Sequence, residues 1–121
     1  MKSEVRNDLG QRTFEFAVRV VNLCRTLNKS PGVSRILAGQ LLRSGTSIGA
    51  NVEEGQASQS KADFVYKYSI ACKEARETHY WLRLLVAADI MPKDQPADLM
   101  DEANQLIAIL TTIIKKTKTG C

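Results

Sequence analysis

"SGTSIGANVEEGQ", residues 44–56, packs three glycines, three hydroxyls, one asparagine and two glutamates into thirteen positions. Whether it is a loop, an active site or a helix built from unusual parts decides the fold. The segment before it sets the answer. From Ser34 to Glu54, Leu37, Leu41, Ile48 and Val52 recur at helical spacing, with Ser44 interrupting the stripe. Ala38, Leu42, Gly45 and Gly49 form the line beside it. The stretch therefore reads as the C-terminal half of a helix, with Gly55 at the position where a left-handed residue ends it.

Working outward, three more amphipathic segments appear. Residues of about 7–28 carry Leu9, Phe16, Val20, Leu23 and Leu27, flanked by Phe14, Ala17, Val21 and Cys24, before "KSPG" breaks the pattern. "SKAD", residues 60–63, is an N-cap in which Ser60 can accept from the amide of Asp63. The helix it opens, about 61–88, shows Phe64, Tyr68, Ala71, Ala75, Leu82 and Leu85 on one stripe. After "DIMPKDQP", with Asp94 or Gln95 as N-cap, a last helix of about 96–117 carries Leu99, Ala103, Leu106, Leu110 and Ile113. Four long helices on short turns predict a single domain over residues 1–121. Its fold class is all-α, an up-down-up-down antiparallel four-helix bundle.

Composition bounds the function. At 121 residues and 44% hydrophobic, the chain can close a core without disulfides or metals. Seventeen basic against thirteen acidic side chains leave +4, a weak push toward a polyanionic partner. The N-terminus alternates charges, so a secretory signal is not expected, and no apolar run approaches a membrane span. Cys24 and Cys72 sit on apolar faces and read as buried thiols in a reducing cytoplasm, while the terminal Cys121 is expected to be exposed.

Chemistry is sparse. The single histidine, His79, has Arg76 three positions earlier, which rules out a Glu-x-x-His di-iron pair. There is no Ser/His/Asp set, no phosphate-cradling glycine loop and no zinc spacing, so no enzyme, metal or cofactor is expected. Glu53 and Glu54 on one helix and Glu74 and Glu77 on the next invite comparison with magnesium-dependent nucleotide hydrolases. A hairpin centred near Ser58 keeps them apart, however. It sets Glu54 opposite Ala62, about 18 Å from Glu74 along the helix. The same register levels Glu74 with Arg43 and predicts that ion pair. It also levels Gly45 with Ala71 and Gly49 with Lys67, which predicts a small-residue seam between the second and third helices. Asn51, Glu53 and Glu54 are expected to hydrogen-bond the corner between those helices.

What remains is surface. Tyr66, Lys73, Arg76, Tyr80 and Arg83 fall on the outer side of the third helix, a basic and aromatic pattern suited to phosphate contact and base stacking. A solvated face is the plainer reading of the same residues. Ile70, Trp81, Leu84 and Ala88 form a further apolar line outside the bundle stripe, as subunit contacts do, with Trp81 as anchor.

Residues 43–85 closely resemble the signature of the bacterial four-helix-bundle proteins also called intervening-sequence proteins of large-subunit ribosomal RNA. The match lies in Ser47, Ile48, Asn51, Glu54 and Gly55, and again in Lys73, Glu74, Glu77, Trp81 and Leu82. At Lys73 and Glu74 many relatives carry small residues. The resemblance implies ring-shaped homopentamers encoded by inserts within ribosomal RNA genes. It also implies kinship with the basic accessory proteins of diversity-generating retroelements, which associate with nucleic acid. It brings no catalytic residues. Five copies of a +4 chain carry +20, so the leading expectation is a non-enzymatic oligomer that associates with RNA or DNA, foremost structured RNA. The alternatives are a scaffold that holds another protein, and a hydrolase whose acidic pairs meet across subunits.

Overall fold

The computed structural model describes the backbone of residues 2–119 and the side chains of residues 8–119; Cys121 lies outside the described residues. Four helices follow in order: α1 (Lys2–Leu27), α2 (Val33–Gln56), α3 (Lys61–Ala87) and α4 (Ala97–Lys118). α2 packs between α1 and α3, and α3 packs on α4, in the antiparallel up-down-up-down order. The α1–α4 seam that completes the bundle is the thinnest. There Arg12 grips Glu102 through two hydrogen bonds of 2.8 and 3.0 Å. Among the described residues, no helix is long and apolar enough to cross a membrane.

The core is the predicted stripes turned inward. Leu9, Phe16 and Val20 of α1 meet Leu41, Ile48 and Val52 of α2, Tyr68, Leu82 and Leu85 of α3, and Leu106 and Leu110 of α4. Each fully buried side chain of this size contributes about 1.5–3 kcal/mol. The Phe64 and Tyr68 rings stack at 4.1 Å between centroids. Ser44, the interruption in the α2 stripe, is fully buried and bonded: Thr78 Oγ1 lies 3.0 Å from its Oγ. The hydroxyl pair thus joins α2 to α3 without leaving a polar group unsatisfied.

Several local expectations are corrected. Gly55 is not a left-handed terminator, because α2 continues through it to Gln56 and is capped by Ala57 in ordinary helical conformation. Glycine is needed there because a β-carbon would stand 2.6 Å from Cδ1 of Tyr68. The left-handed cap belongs to α3 instead. Asp89 has φ 60°, its N–H reaches Val86 O at 3.0 Å, and Ile90 N–H reaches Leu85 O at 3.0 Å, which is a Schellman motif. α4 takes Pro96 as N-cap, not Asp94 or Gln95, and gains no side-chain cap bond. Ser60 caps α3 as read, accepting from Asp63 N–H at 3.0 Å.

The α2–α3 register also shifts. Lys67 Nζ pairs with Glu54 Oε1 at 2.8 Å, so Glu54 stands level with Lys67 and not with Ala62. The added turn of α2 moves the hairpin centre by about three residues. It brings Glu54 and Glu74 within seven positions, roughly 10 Å along the helices. Gly45 and Gly49 do not form the α2–α3 seam. A β-carbon on Gly45 would touch Val20, and one on Gly49 would touch the Thr13 carbonyl group, so both glycines let α1 approach.

Candidate nucleic-acid interface

α3 carries the site because its circumference is shared three ways. Phe64, Tyr68, Ala75 and Leu82 face the core, Glu74 and Glu77 face α2, and Cys72 faces α4, with Sγ 3.5 Å from Thr111 Oγ1. What is left points to solvent. Lys73, Arg76 and Arg83 are exposed, and Tyr66 and Tyr80 keep 61% and 46% of their surfaces in water. These five residues line one outward stripe of α3. The Arg83 guanidinium lies 5.8 Å from the Tyr80 ring centroid, so cation and aromatic stand side by side.

Charge on α3 is sorted by side. Glu74 and Glu77 face α2 and are engaged there: Arg43 Nη1 reaches Glu74 Oε1 at 3.2 Å, and Arg43 Nη2 reaches Glu77 Oε2. Glu77 Oε2 also accepts from Trp81 Nε1 at 2.9 Å. Glu54, Glu74 and Glu77 are thus held by cations, and Lys67 is pushed above the ordinary lysine range by its bond to Glu54. Among the described residues, no three His, Cys, Asp or Glu side chains come close enough together to hold a metal.

Ile70, Trp81 and Leu84 are half-buried, and Ala88 is exposed. They border α2, whose Val33 and Ile36 leave 65% and 67% of their surfaces in water. Helical arithmetic from the Ser44–Thr78 bond puts Ile36 within one turn of Leu84. The apolar line therefore broadens into a two-helix patch. On the far side of α2, Phe14 and Val18 of α1 and Leu42 of α2 are exposed as well. Phe14 lay in the second apolar line of α1. Its exposure follows from α2 sitting over Thr13 and Val20, which turns the next residue outward.

The motif residues are spread along α2. Ile48 and Gly55 are buried, Ser47 and Asn51 are half-buried, and Glu54 is exposed. Asn51 Nδ2 donates to Ser47 O at 2.9 Å, one turn back on its own helix, so Asn51 does not tie the α2–α3 corner. The corner bond comes from Glu54 to Lys67. Cys24 is buried, with Sγ 3.4 Å from Ala38 O, and burial pushes its thiol up to about 11, which makes it an inert core group.

Sequence reasoning missed two lysines. Lys115 and Lys118 follow Thr111 at four and seven positions, so they share the edge of α4 that touches α3. The only sequence signal was the basic run that ends the helix.

No curated protein matches the chain. A solved structure from Bacteroides thetaiotaomicron, described as a protein with unknown function from the S23 ribosomal protein family, is 41% identical. The alignment covers 92% of this chain and 98% of that one, with a TM-score of 0.85. Residues 6–112 match the family described as 23S rRNA-intervening sequence protein, and the chain belongs to that family.

Proposed function

We propose that this protein is a non-enzymatic, cytoplasmic homo-oligomer, a pentamer on the family resemblance, that associates with nucleic acid and foremost with structured RNA. One observation carries the nucleic-acid reading: the exposed stripe Tyr66, Lys73, Arg76, Tyr80 and Arg83 contains no acid, while Glu74 and Glu77 of the same helix are engaged by Arg43 of α2. Cations free of intramolecular mates can release counterions from phosphate, and exposed rings can stack on bases. Assembly repeats that stripe and multiplies a +4 charge that is weak in one copy. The patch of Val33, Ile36, Trp81 and Leu84 supports assembly, since side chains of this size are rarely left together in water.

An electrophoretic shift with a structured RNA, run at about 50 and about 200 mM salt, tests the reading. Retardation that weakens steeply with salt is expected. No retardation of RNA or DNA at the lower salt would remove it.

A second reading, a scaffold that holds a different protein, is favoured by the separate exposed group of Phe14, Val18 and Leu42. It predicts a co-purifying protein that survives nuclease and high salt.

A further inference from the structure

The cations of α3 do not stand alone. Lys115 and Lys118 lie on the α3-facing edge of α4, four and seven positions beyond Thr111, which touches Cys72. Arg76 and Arg83 follow Cys72 at four and eleven positions, on the α4-facing edge of α3. Lys61 and Thr117 line the same cleft of about 310 Å³ where α3 begins and α4 ends, which fixes that end of the seam. Lys61, Lys73, Arg76, Lys115 and Lys118 form no ion pair among the described residues. Five of the six acids of the two helices are hydrogen-bonded to other partners. Asp63 accepts from Ser58, Glu74 and Glu77 from Arg43, Glu102 from Arg12, and Asp101 from Gln105, which itself accepts from Arg12 of α1. The outer α3–α4 seam is therefore a track of unpaired positive charge, with Asp98, in the first turn of α4, seventeen positions before Lys115. It runs from Lys61 to Arg83, about 33 Å at helical rise.

Two aromatic rings project beside this track, Tyr66 and Tyr80, about 21 Å apart on α3. A duplex offers phosphates to such a track but keeps its bases stacked inside. An unpaired strand offers phosphates and base faces together. Only the second makes use of both rings. We infer that the α3–α4 seam takes an unpaired run of nucleic acid, its phosphates against Lys73, Arg76, Arg83, Lys115 and Lys118 and two of its bases on Tyr66 and Tyr80. This rests on the proposed nucleic-acid association and narrows it to the single-stranded loops of a structured RNA or to free single strands. The span fits within the roughly 4–16 nucleotides that single-strand sites cover.

Fluorescence anisotropy of the full-length protein separates the possibilities, with a labelled twelve-nucleotide oligouridylate and a blunt RNA duplex of the same length as probes. The oligouridylate is expected to bind at least tenfold tighter than the duplex. The double variant Tyr66→Leu/Tyr80→Leu should lose about thirtyfold or more in affinity for it with an unchanged salt slope. Lys115→Gln/Lys118→Gln should reduce the slope by about 1.4, at roughly 0.7 per phosphate contact on a single strand. All four side chains are exposed, so the variants should keep the wild-type circular dichroism and melting curve, which are recorded as the control. Equal binding of duplex and single strand, indifferent to the tyrosines, would overturn the inference and leave the proposed function standing. An unchanged slope in the lysine variant would remove α4 from the track. No binding of either probe would bring down both readings.

Discussion

Val20 occupies the space in which a side chain at Gly45 would sit: its two γ-carbons lie 2.7 and 2.9 Å from where the β-carbon would be. Val20 is fully buried and β-branched, so it cannot swing aside without finding another packed position. Gly45→Ala gains about 1 kcal/mol of helix propensity but overpacks the α1–α2 seam at roughly 1–3 kcal/mol. The expected result is a net loss of about 1 kcal/mol, read as a lower urea midpoint at fixed protein concentration and unchanged m. Gly39, exposed on the same helix with nothing within 4 Å of its would-be β-carbon, is the control. Gly39→Ala should raise the midpoint, by the equivalent of about 1 kcal/mol. Equal responses at the two glycines would mean that the close approach has no energetic weight.

Asp89 holds φ 60° at the end of α3, a conformation in which a β-carbon is strained. The motif needs only its backbone, since the N–H groups of Asp89 and Ile90 make the capping bonds. Asp89→Gly should therefore keep both bonds, remove the strain and the negative charge at a helix C-terminus, and stabilise by about 0.5–1 kcal/mol. A calorimetric melting temperature that falls would contradict this.

The helical nature of residues 44–56 was legible because Leu41, Ile48 and Val52 keep their spacing whatever stands between them. The Ser60 cap was legible because it depends on four consecutive residues. Which neighbour the glycines face was not, since periodicity names the buried side of a helix but not the helix across from it. The register error arose at Gly55, where glycine serves the Tyr68 ring and not a turn. The Arg43–Glu74 contact forms in spite of that error, because an arginine side chain reaches across a turn and meets Glu77 as well. The outer stripe of α3 could be read from its spacing. Lys115 and Lys118 could not be added to it, because joining two helices into one surface needs the α3–α4 register that Cys72 and Thr111 supply.

The Cys24 thiol should make stability fall in alkali. Burial raises its folded value to about 11, against an ordinary value of 9.0, so the protonated form is favoured by folding. Below about pH 9 both states hold the proton and the full stability is present. Between about 9 and 11 only the unfolded chain releases it, and up to about 2–3 kcal/mol is lost. The readout is the difference from Cys24→Ala, which should show a shallower decline in urea midpoint from pH 8.5 to pH 10.5. Parallel declines would show that the thiol is not the group responsible.

Trp81 joins the charge sorting to the patch on which the proposed assembly rests. Its indole N–H is bonded to Glu77 and its ring lies edge-on to Tyr80 at 5.1 Å, so it is held in place at the border of the exposed Val33 and Ile36. A fixed aromatic beside exposed aliphatic groups is what interface anchors have in common. Ile36 keeps 67% of its surface in water within one chain, so Ile36→Glu should change the fold of that chain little. In an assembly built on this patch, the same change would bury an unpaired carboxylate in each contact. Light scattering coupled to size exclusion is expected to give a wild-type mass several times 13.4 kDa. Ile36→Glu should fall to the single-chain mass with its helical circular dichroism intact, and its Trp81 emission should shift to longer wavelength. A wild-type protein that already elutes at the single-chain mass would remove the assembly. A multimer unmoved by Ile36→Glu would place the contact on Phe14, Val18 and Leu42 instead.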